Sequence, residues 1–220
     1  MKMKILLPAL ACLALANNAW ADDTGSFDFG VKVSTLGAGV EINYPISSNL
    51  TVAVGLNKFN QSQSDNISGI DYDEEINLQT FSLLVNFHPF SGTFRITAGA
   101  MLNSNELKLA AKPNANYTIN GNPYSAADVG DLEATVDFRK VAPYVGLGFG
   151  HGASSGLSFT FDLGVLMQGE PNVDLESKGG ILSNDPAFQA ELAQEEKAAE
   201  DDIKEFTMYP VVSLGMSYRF

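Results

Sequence analysis

The chain has 220 residues, of which 45% are hydrophobic and 18% are charged, and its formal net charge is −13. So large an excess of acid excludes nucleic acid as an expected partner, because binding to phosphates requires a basic face. A single cysteine excludes a disulfide framework. This length suits one domain.

Residues 1–21 have the features of a secretory signal peptide. Lys2 and Lys4 precede an apolar run from residue 5 to residue 16, and Ala19-Trp20-Ala21 is a small-x-small cleavage site. The run is shorter than the roughly 20 residues of a membrane-spanning helix. A lipoprotein modified on Cys12 is the alternative, but the hydrophobic stretch before Cys12 is short for one. We expect cleavage near Ala21, leaving residues 22–220 with 11 basic and 26 acidic residues and a net charge of −15.

Eight later segments alternate apolar residues with small or polar ones, and a period of two predicts strands. The second face is mostly Gly, Ser, Thr and Asn, which is typical of a filled lumen rather than a solvated exterior. The sequence therefore predicts an all-β fold, an eight-stranded antiparallel transmembrane β-barrel with its apolar face toward lipid. A secreted soluble barrel or sandwich is the alternative. The segments are 29–33, 38–44, 50–56, 81–87, 94–102, 141–149, 157–167 and 206–220.

The connections alternate in length as an outer-membrane barrel requires. Short turns at 45–49, 88–92 and 150–156 would be periplasmic, and long polar loops at 60–73, 106–134 and 170–205 would be extracellular. The first outward turn, at Leu36-Gly37, is predicted to be a two-residue hairpin in which Lys32 faces Glu41. Asn120-Gly121 in the central loop is predicted to be another hairpin tip.

Charged residues are few on the lumen-facing positions of these strands. One interpretation makes them the selectivity lining of a narrow pore, and the other makes them ion pairs that hold a filled lumen together. A carrier of hydrophobic solutes would need an apolar lumen, which we do not expect here. The charges are Lys32, Glu41, Arg95, Asp162 and Arg219, with Asp28 near the periplasmic end.

The extracellular loop at about 170–205 is acidic and is predicted to contain one short helix. Asp185-Pro186 has the form of an N-cap followed by proline, and Phe188, Leu192, Ala199 and Ile203 then fall on one helical stripe. The helix would either attract cationic solutes or rest its stripe on the barrel rim with its acids in water. The acidic cluster consists of Glu191, Glu195, Glu196, Glu200, Asp201, Asp202 and Glu205.

Catalytic and metal-binding patterns are nearly absent from the sequence. His88 and His151 lie on predicted periplasmic turns, away from the outer leaflet where lipid-modifying barrels work, and neither has metal-ligand spacing. The acids between Asp65 and Glu75 do not match an EF-hand. We therefore expect no catalytic residue, no cofactor and no metal site, and we do not expect an enzyme.

The last strand resembles the closing strand of bacterial outer-membrane barrels, in which the final aromatic residues belong to the assembly signal. Tyr218 and Phe220 take that role in the resemblance, which implies recognition by the barrel-assembly machinery. The segments 141–150 and 162–175, the acidic helical loop and Tyr209-Pro210-Val211 resemble the CarO-type outer-membrane proteins, the ornithine-uptake porin family. That resemblance implies an eight-stranded barrel and uptake of basic amino acids.

The sequence thus predicts a monomeric integral protein of the Gram-negative outer membrane, in contact with outer-membrane lipid and lipopolysaccharide. As a function we expect either a narrow channel for small cationic solutes such as basic amino acids, or a non-conducting structural barrel. The second would act through its extracellular loops.

Overall fold

A computed structural model describes residues 26–67, 70–112, 117–150 and 156–220. The predicted signal peptide, with Cys12 and Ala21, and His151 lie outside these residues. Within them the chain forms thirteen strands and two helices. They are β1 (Asp28–Ser34), β2 (Gly37–Ser47), β3 (Leu50–Ile67), β4 (Ile70–Phe87), β5 (Phe94–Asn103), β6 (Glu106–Lys112), β7 (Tyr117–Ile119), β8 (Asn122–Tyr124), α1 (Ala126–Val129), β9 (Gly130–Asp137), β10 (Val141–Phe149), β11 (Gly156–Leu166), β12 (Asn172–Gly179), α2 (Pro186–Ile203) and β13 (Tyr209–Arg219).

Eight of these strands close into an antiparallel barrel in the order β1, β2, β3, β4, β5, β10, β11, β13, and β13 pairs with β1 to complete the ring. Its outward positions carry large apolar side chains that are half exposed, such as Leu83 at 54%, Leu147 at 48% and Leu163 at 52%. A continuous apolar exterior of this kind belongs in lipid, not in water. The predicted fold class and the outward direction of the apolar face are confirmed.

Aromatic rings gather at the periplasmic end of the barrel, as expected of residues at a membrane–water interface. The ring centroids of Phe94 and Phe149 lie 5.2 Å apart, and those of Tyr218 and Phe220 lie 5.1 Å apart. Phe27, just before β1, packs against Phe220 at 5.7 Å. The chain end is therefore held in this aromatic girdle, while recognition of Tyr218 and Phe220 by the assembly machinery stays a prediction.

The first hairpin differs from its predicted register by two residues. Lys32 pairs with Gly39 across the ladder rather than with Glu41. A shift of two leaves every side chain on its predicted face, because side chains alternate with a period of two. The loop residues are Thr35-Leu36, and Gly37 follows with φ of 103°, a left-handed conformation that favours glycine. The turn geometry, which the alternation cannot reveal, decides between the two registers.

All three connections predicted as long loops, at 60–73, 106–134 and 170–205, contribute strands to an extracellular sheet. β3 and β4 continue beyond the barrel as a hairpin, in which 59–67 pairs with 70–78. β6, β9 and β12 extend the sheet from β4. The stretch 61–64 is Gln-Ser-Gln-Ser, polar on both faces. Strands that meet water on both sides need no apolar alternation, so this hairpin escapes a search for a period of two.

Helix α2 begins where the sequence predicts. Asp185 is its N-cap, and the side chain accepts hydrogen bonds from the backbone N–H groups of Ala187 at 2.9 Å and Phe188 at 3.1 Å. Phe188 and Leu192 are buried in a small cluster with residues of β7 and α1. The predicted hairpin tip Asn120-Gly121 lies between β7 and β8. No helix in the described part of the chain has the length and apolarity to cross a bilayer.

Candidate functional site

The lumen contains one ion pair between neighbouring strands at mid-depth. Lys32 on β1 donates to Glu41 Oε2 on β2 at 2.6 Å, on the diagonal rather than directly across the ladder. The other oxygen of Glu41 accepts from Asn43 Nδ2 at 3.1 Å. Both charged side chains are largely buried. The carboxylate and the ammonium therefore satisfy each other inside the barrel, as charges at membrane depth must.

A second ion pair crosses the lumen from β5 to β11. Arg95 Nη2 donates to Asp162 Oδ1 at 2.5 Å, and Arg95 Nη1 donates to the Gly150 carbonyl at 2.9 Å. The guanidinium passes over Gly148 of the intervening strand β10, where an added Cβ would lie 2.6 Å from Arg95 Nε. A side chain at position 148 would therefore force the Arg95–Asp162 pair to shift.

The third ion pair joins the first and last strands of the barrel. Asp28 and Arg219 lie directly opposite each other on β1 and β13. Arg219 Nε donates to Asp28 Oδ1 at 2.5 Å, and Arg219 Nη2 donates to Asp28 Oδ2 at 3.0 Å. This two-bond arrangement is the strong geometry for an arginine and a carboxylate. All five predicted lumen charges therefore have ionic partners.

Apolar side chains also fill part of the lumen, mostly toward the extracellular ends of the strands. Leu36, from the first hairpin loop, is 1% exposed and belongs to this group of apolar residues, which we call the apolar plug. The predicted lumen of mostly Gly, Ser, Thr and Asn did not include this apolar plug. In the sequence, the large apolar residues at lumen-facing positions of the alternation were the signal for this plug. The plug consists of Leu36, Ala53, Leu84, Met101, Ala142, Tyr144, Leu166 and Val211.

Little space remains between the ion pairs and the apolar plug. A cavity of about 30 Å³ lies among Lys32, Glu41, Arg95, Asp162 and Tyr144. A smaller one of about 10 Å³ lies on the periplasmic side of Lys32, against Thr160 and Ser217. One water molecule needs roughly 10–15 Å³ on this measure, so the two cavities hold a few waters at most. The described part of the lumen is filled by its own side chains.

Four acids of the extracellular cluster bind neighbouring elements rather than solvent, and two of them hold the β7–β8 hairpin. Glu191 Oε2 accepts from the Tyr124 hydroxyl at 2.6 Å and from Asn122 Nδ2 at 3.0 Å. Glu195 Oε2 accepts from the backbone N–H of Asn120 at 2.8 Å. The hydrogen bond from Tyr124 lowers the pKa of Glu191 and raises the pKa of Tyr124 itself.

The other two acids cover the free edge of the extracellular sheet at β12. Glu196 Oε1 accepts from the backbone N–H of Leu175 at 2.9 Å, and Glu200 Oε1 accepts from that of Val173 at 3.2 Å. Four helical residues advance about 6 Å. Two strand residues advance about 6.8 Å, so the spacings match. Glu196 and Glu200 thus form a carboxylate ladder that satisfies an edge strand.

The last three acids of the cluster point outward. Asp201 accepts from Lys204 Nζ at 3.3 Å, and both side chains are well exposed. Asp202 and Glu205 are exposed at the end of helix α2. Helix α2 therefore docks through its apolar stripe and through four of the seven acids of the cluster, and the other three face solvent. The sequence analysis considered a helix resting on the barrel rim with its acids in water, whereas the helix packs on elements of the extracellular part and uses acids to do so. The i, i+4 spacing of Glu191 with Glu195 and of Glu196 with Glu200 was the signal for this role.

Lys178 on β12 adds charge pairing to the same sheet. Its ammonium lies 2.6 Å from Glu133 Oε2 and 2.9 Å from Glu176 Oε2. The hydrogen bond from Lys178 lowers the pKa of Glu133. Strands β9 and β12 are thus cross-linked on one face by a lysine between two carboxylates.

The described ranges contain one of the two histidines, His88, which lies in a short turn. His88 Nδ1 lies 3.1 Å from the Gly92 carbonyl within its own turn. No group of three or more His, Cys, Asp or Glu side chains in the described ranges is arranged to hold a metal ion.

Comparisons with known proteins agree with the architecture. No family model and no curated protein matches the chain. The fold is similar to that of the solved Acinetobacter baumannii CarO2, with 22% identity and a TM-score of 0.58 over 89% of this chain and 98% of that one. Acinetobacter baumannii CarO matches with 22% identity and a TM-score of 0.55 over 89% and 98% of the two chains. A major outer membrane protein from Thermus thermophilus matches more weakly, with 16% identity and a TM-score of 0.44. The chain therefore has the outer-membrane β-barrel fold of the CarO structures.

Proposed function

We propose that the protein is a sealed outer-membrane barrel that carries a rigid, acidic cap at the cell surface and acts through that cap. The cap comprises the extracellular sheet of β3, β4, β6, β9 and β12, together with the β7–β8 hairpin and helix α2. The observation that carries the proposal is the filled lumen, in which the cavities measure about 30 and 10 Å³. On a measure in which one water molecule takes roughly 10–15 Å³, neither cavity has room for a free amino acid.

The construction of the cap supports the same function. An extracellular part that served only as a linker would not need ordered strands, whereas here β3 and β4 extend without a break from the barrel into the cap. Helix α2 is fastened by the buried pair Phe188 and Leu192 and by four carboxylates. Its outward face presents Asp201, Asp202 and Glu205, so a surface partner of this face would be cationic.

Single-channel conductance of the refolded full chain in a planar bilayer tests the proposal, first in potassium chloride and then in an ornithine gradient. We expect no discrete steps from the native barrel. The double variant Tyr144→Ala and Met101→Ala removes two large plug side chains beside the cavity and should produce steps. Val145→Ala, on the lipid-facing side of β10, is the matched control and should stay silent. Discrete cation-selective steps from the native chain would refute the sealed barrel.

A narrow channel for small cationic solutes such as basic amino acids is the second candidate. It is favoured by the ionic groups at membrane depth, Lys32, Glu41, Arg95 and Asp162, which a conducting state would expose to the permeant. This channel would open by parting ion pairs that are closed in the structure. Glu41→Lys should then reverse or abolish cation selectivity, and unchanged conductance in that variant would count against these charges as the lining.

A further inference from the structure

Three cations at the extracellular rim of the barrel have no carboxylate partner among the described residues. They are Lys58 on β3 and Arg139 and Lys140 just before β10. The lumen cations and three cap lysines, Lys108, Lys178 and Lys204, all have a carboxylate oxygen within 3.3 Å. Among the cations whose side chains the structure describes, Lys197 on helix α2 is the other one without an ion pair. We call Lys58, Arg139 and Lys140 the basic rim.

The basic rim lies at one level of the barrel wall. Lys58 pairs with Gln79 across β3 and β4. The carbonyl of Gln79 accepts from the N–H of Ser104, and the carbonyl of Lys140 accepts from the N–H of Asn103. Three strand spacings of about 4.8 Å separate β3 from β10, so the rim is an arc about 14 Å long.

The apolar exterior ends where the basic rim begins. Val141, directly after Lys140, is the first lipid-facing residue of β10 and is 55% exposed. Leu56, two residues before Lys58 in the same outward row of β3, is 52% exposed. The rim therefore stands at the height where acyl chains give way to headgroups, and lysine stems can lie on the apolar wall with their ammonium groups above it.

Arg139 is held in place by the neighbouring strand connection. Its backbone N–H donates to the Gln168 carbonyl at 3.1 Å. Its guanidinium lies against Gly169, where an added Cβ would be 3.2 Å from Arg139 Nε. Beside it opens a cleft of about 750 Å³, whose wall also carries the acids Asp137 and Glu170, neither in an ion pair with it. The cleft is lined by Asp137, Phe138, Arg139, Lys140, Gly169, Glu170, Asn172 and Thr207.

We propose that the basic rim binds the phosphorylated headgroup of an outer-leaflet lipid, the chemistry of lipid A. These three cations lie apart from carboxylates in a chain of net charge −13, so they are available to an anion from outside the chain. Arginine and lysine together supply the forked and the point-charge donors that phosphate oxygens accept, and basic pockets at this depth are typical headgroup sites. Free phosphate has the same chemistry, but only a lipid also covers the apolar wall below the rim. The site holds whether or not the cap is the acting part of the protein.

Native mass spectrometry of the refolded full chain in detergent tests the site with diphosphoryl lipid A as the probe. Each rim cation should contribute about fivefold to affinity. We therefore expect Lys58→Gln, Arg139→Gln and Lys140→Gln combined to weaken binding at least tenfold. Lys197→Gln removes one positive charge from helix α2, as each of the three rim substitutions does from the rim. It should leave the affinity within twofold of that of the native chain. Circular dichroism is the folding control, and each variant should keep the strand content of the native chain.

Two further probes distinguish binding of a phosphorylated lipid from binding of a free anion and from binding by apolar contact alone. Dephosphorylated lipid A should bind at least tenfold more weakly to the native chain. Inorganic phosphate should displace diphosphoryl lipid A only at a large molar excess. Equal binding of the dephosphorylated probe, or unchanged affinity in the triple variant, would overturn the proposal. Displacement by inorganic phosphate at equimolar concentration would overturn its assignment to a lipid.

Discussion

Removal of the carboxylate ladder is the sharpest test of how the cap is built. In the double variant Glu196→Ala and Glu200→Ala, the N–H groups of Leu175 and Val173 lose the carboxylate acceptors that they have at the edge of β12. A hydrogen bond from a backbone amide to a charged acceptor contributes about 1.5–3 kcal/mol when buried. These carboxylates are half-buried and water can replace them, so we take about 1 kcal/mol for each.

Hydrogen exchange of the two amides measures that loss directly. A decrease of about 1 kcal/mol in local opening free energy speeds exchange about fivefold at each amide. Helix α2 should remain docked, because Phe188 and Leu192 are buried and each contributes about 1.5–3 kcal/mol.

Two controls separate hydrogen bonding from charge. Glu196→Gln keeps an acceptor at the same place and should speed exchange of Leu175 less than Glu196→Ala does. Asp202→Ala removes an exposed acid of the same helix and should change neither amide. Unchanged protection of Leu175 and Val173 in the double alanine variant would refute the ladder.

Two further predictions concern the lumen and the hairpin of the cap. Arg95→Ala leaves Asp162 buried without its partner and should lower the free energy of unfolding by about 3–5 kcal/mol; urea titration of the barrel in vesicles measures this, and adding Asp162→Asn should recover part of the loss. The pKa of Glu191 is lowered in the folded chain, so its contribution to hairpin docking is complete above its ordinary pKa of 4.5 and is lost as the pH falls through the lowered value. Exchange of the β7–β8 amides should therefore speed up in acid, and less so in Tyr124→Phe; a pH-independent rate after correction for intrinsic exchange would contradict this role of Glu191.

A sealed barrel with an ordered cap changes where mutations should matter. If the cap is the acting part, substitutions on its outward face, such as Asp202→Ala, should alter the cell-surface phenotype while the lumen pair Lys32–Glu41 should not. In a conducting barrel, substitutions of the lumen pair should alter the phenotype and substitutions on the outward face of the cap should not. The conductance measurement therefore precedes any search for a partner.

The alternation of residues by itself determined the barrel. A period of two with one apolar face identifies eight strands, and the face that stays apolar in a chain with so few lumen charges must meet lipid. Local chemistry was also sufficient for the start of helix α2, because Asp185-Pro186 satisfies the first free N–H groups and presets the backbone. Asn120-Gly121 marked its hairpin for an equally local reason.

Only the tertiary structure decided the features that depend on contacts distant in sequence. The register of the first hairpin follows from the turn that inserts Leu36 into the barrel, and a two-residue slip does not change the pattern of faces. The cap strands around 61–64 lie in water on both sides and carry no periodic signal. The carboxylate ladder joins Glu196 and Glu200 to strand residues 21 and 27 positions earlier, by matching the rise of a helix to that of a strand. Contacts of this kind, between a helix and a strand or between distant strands, arise from the packing of whole elements and are not encoded in any local stretch of residues.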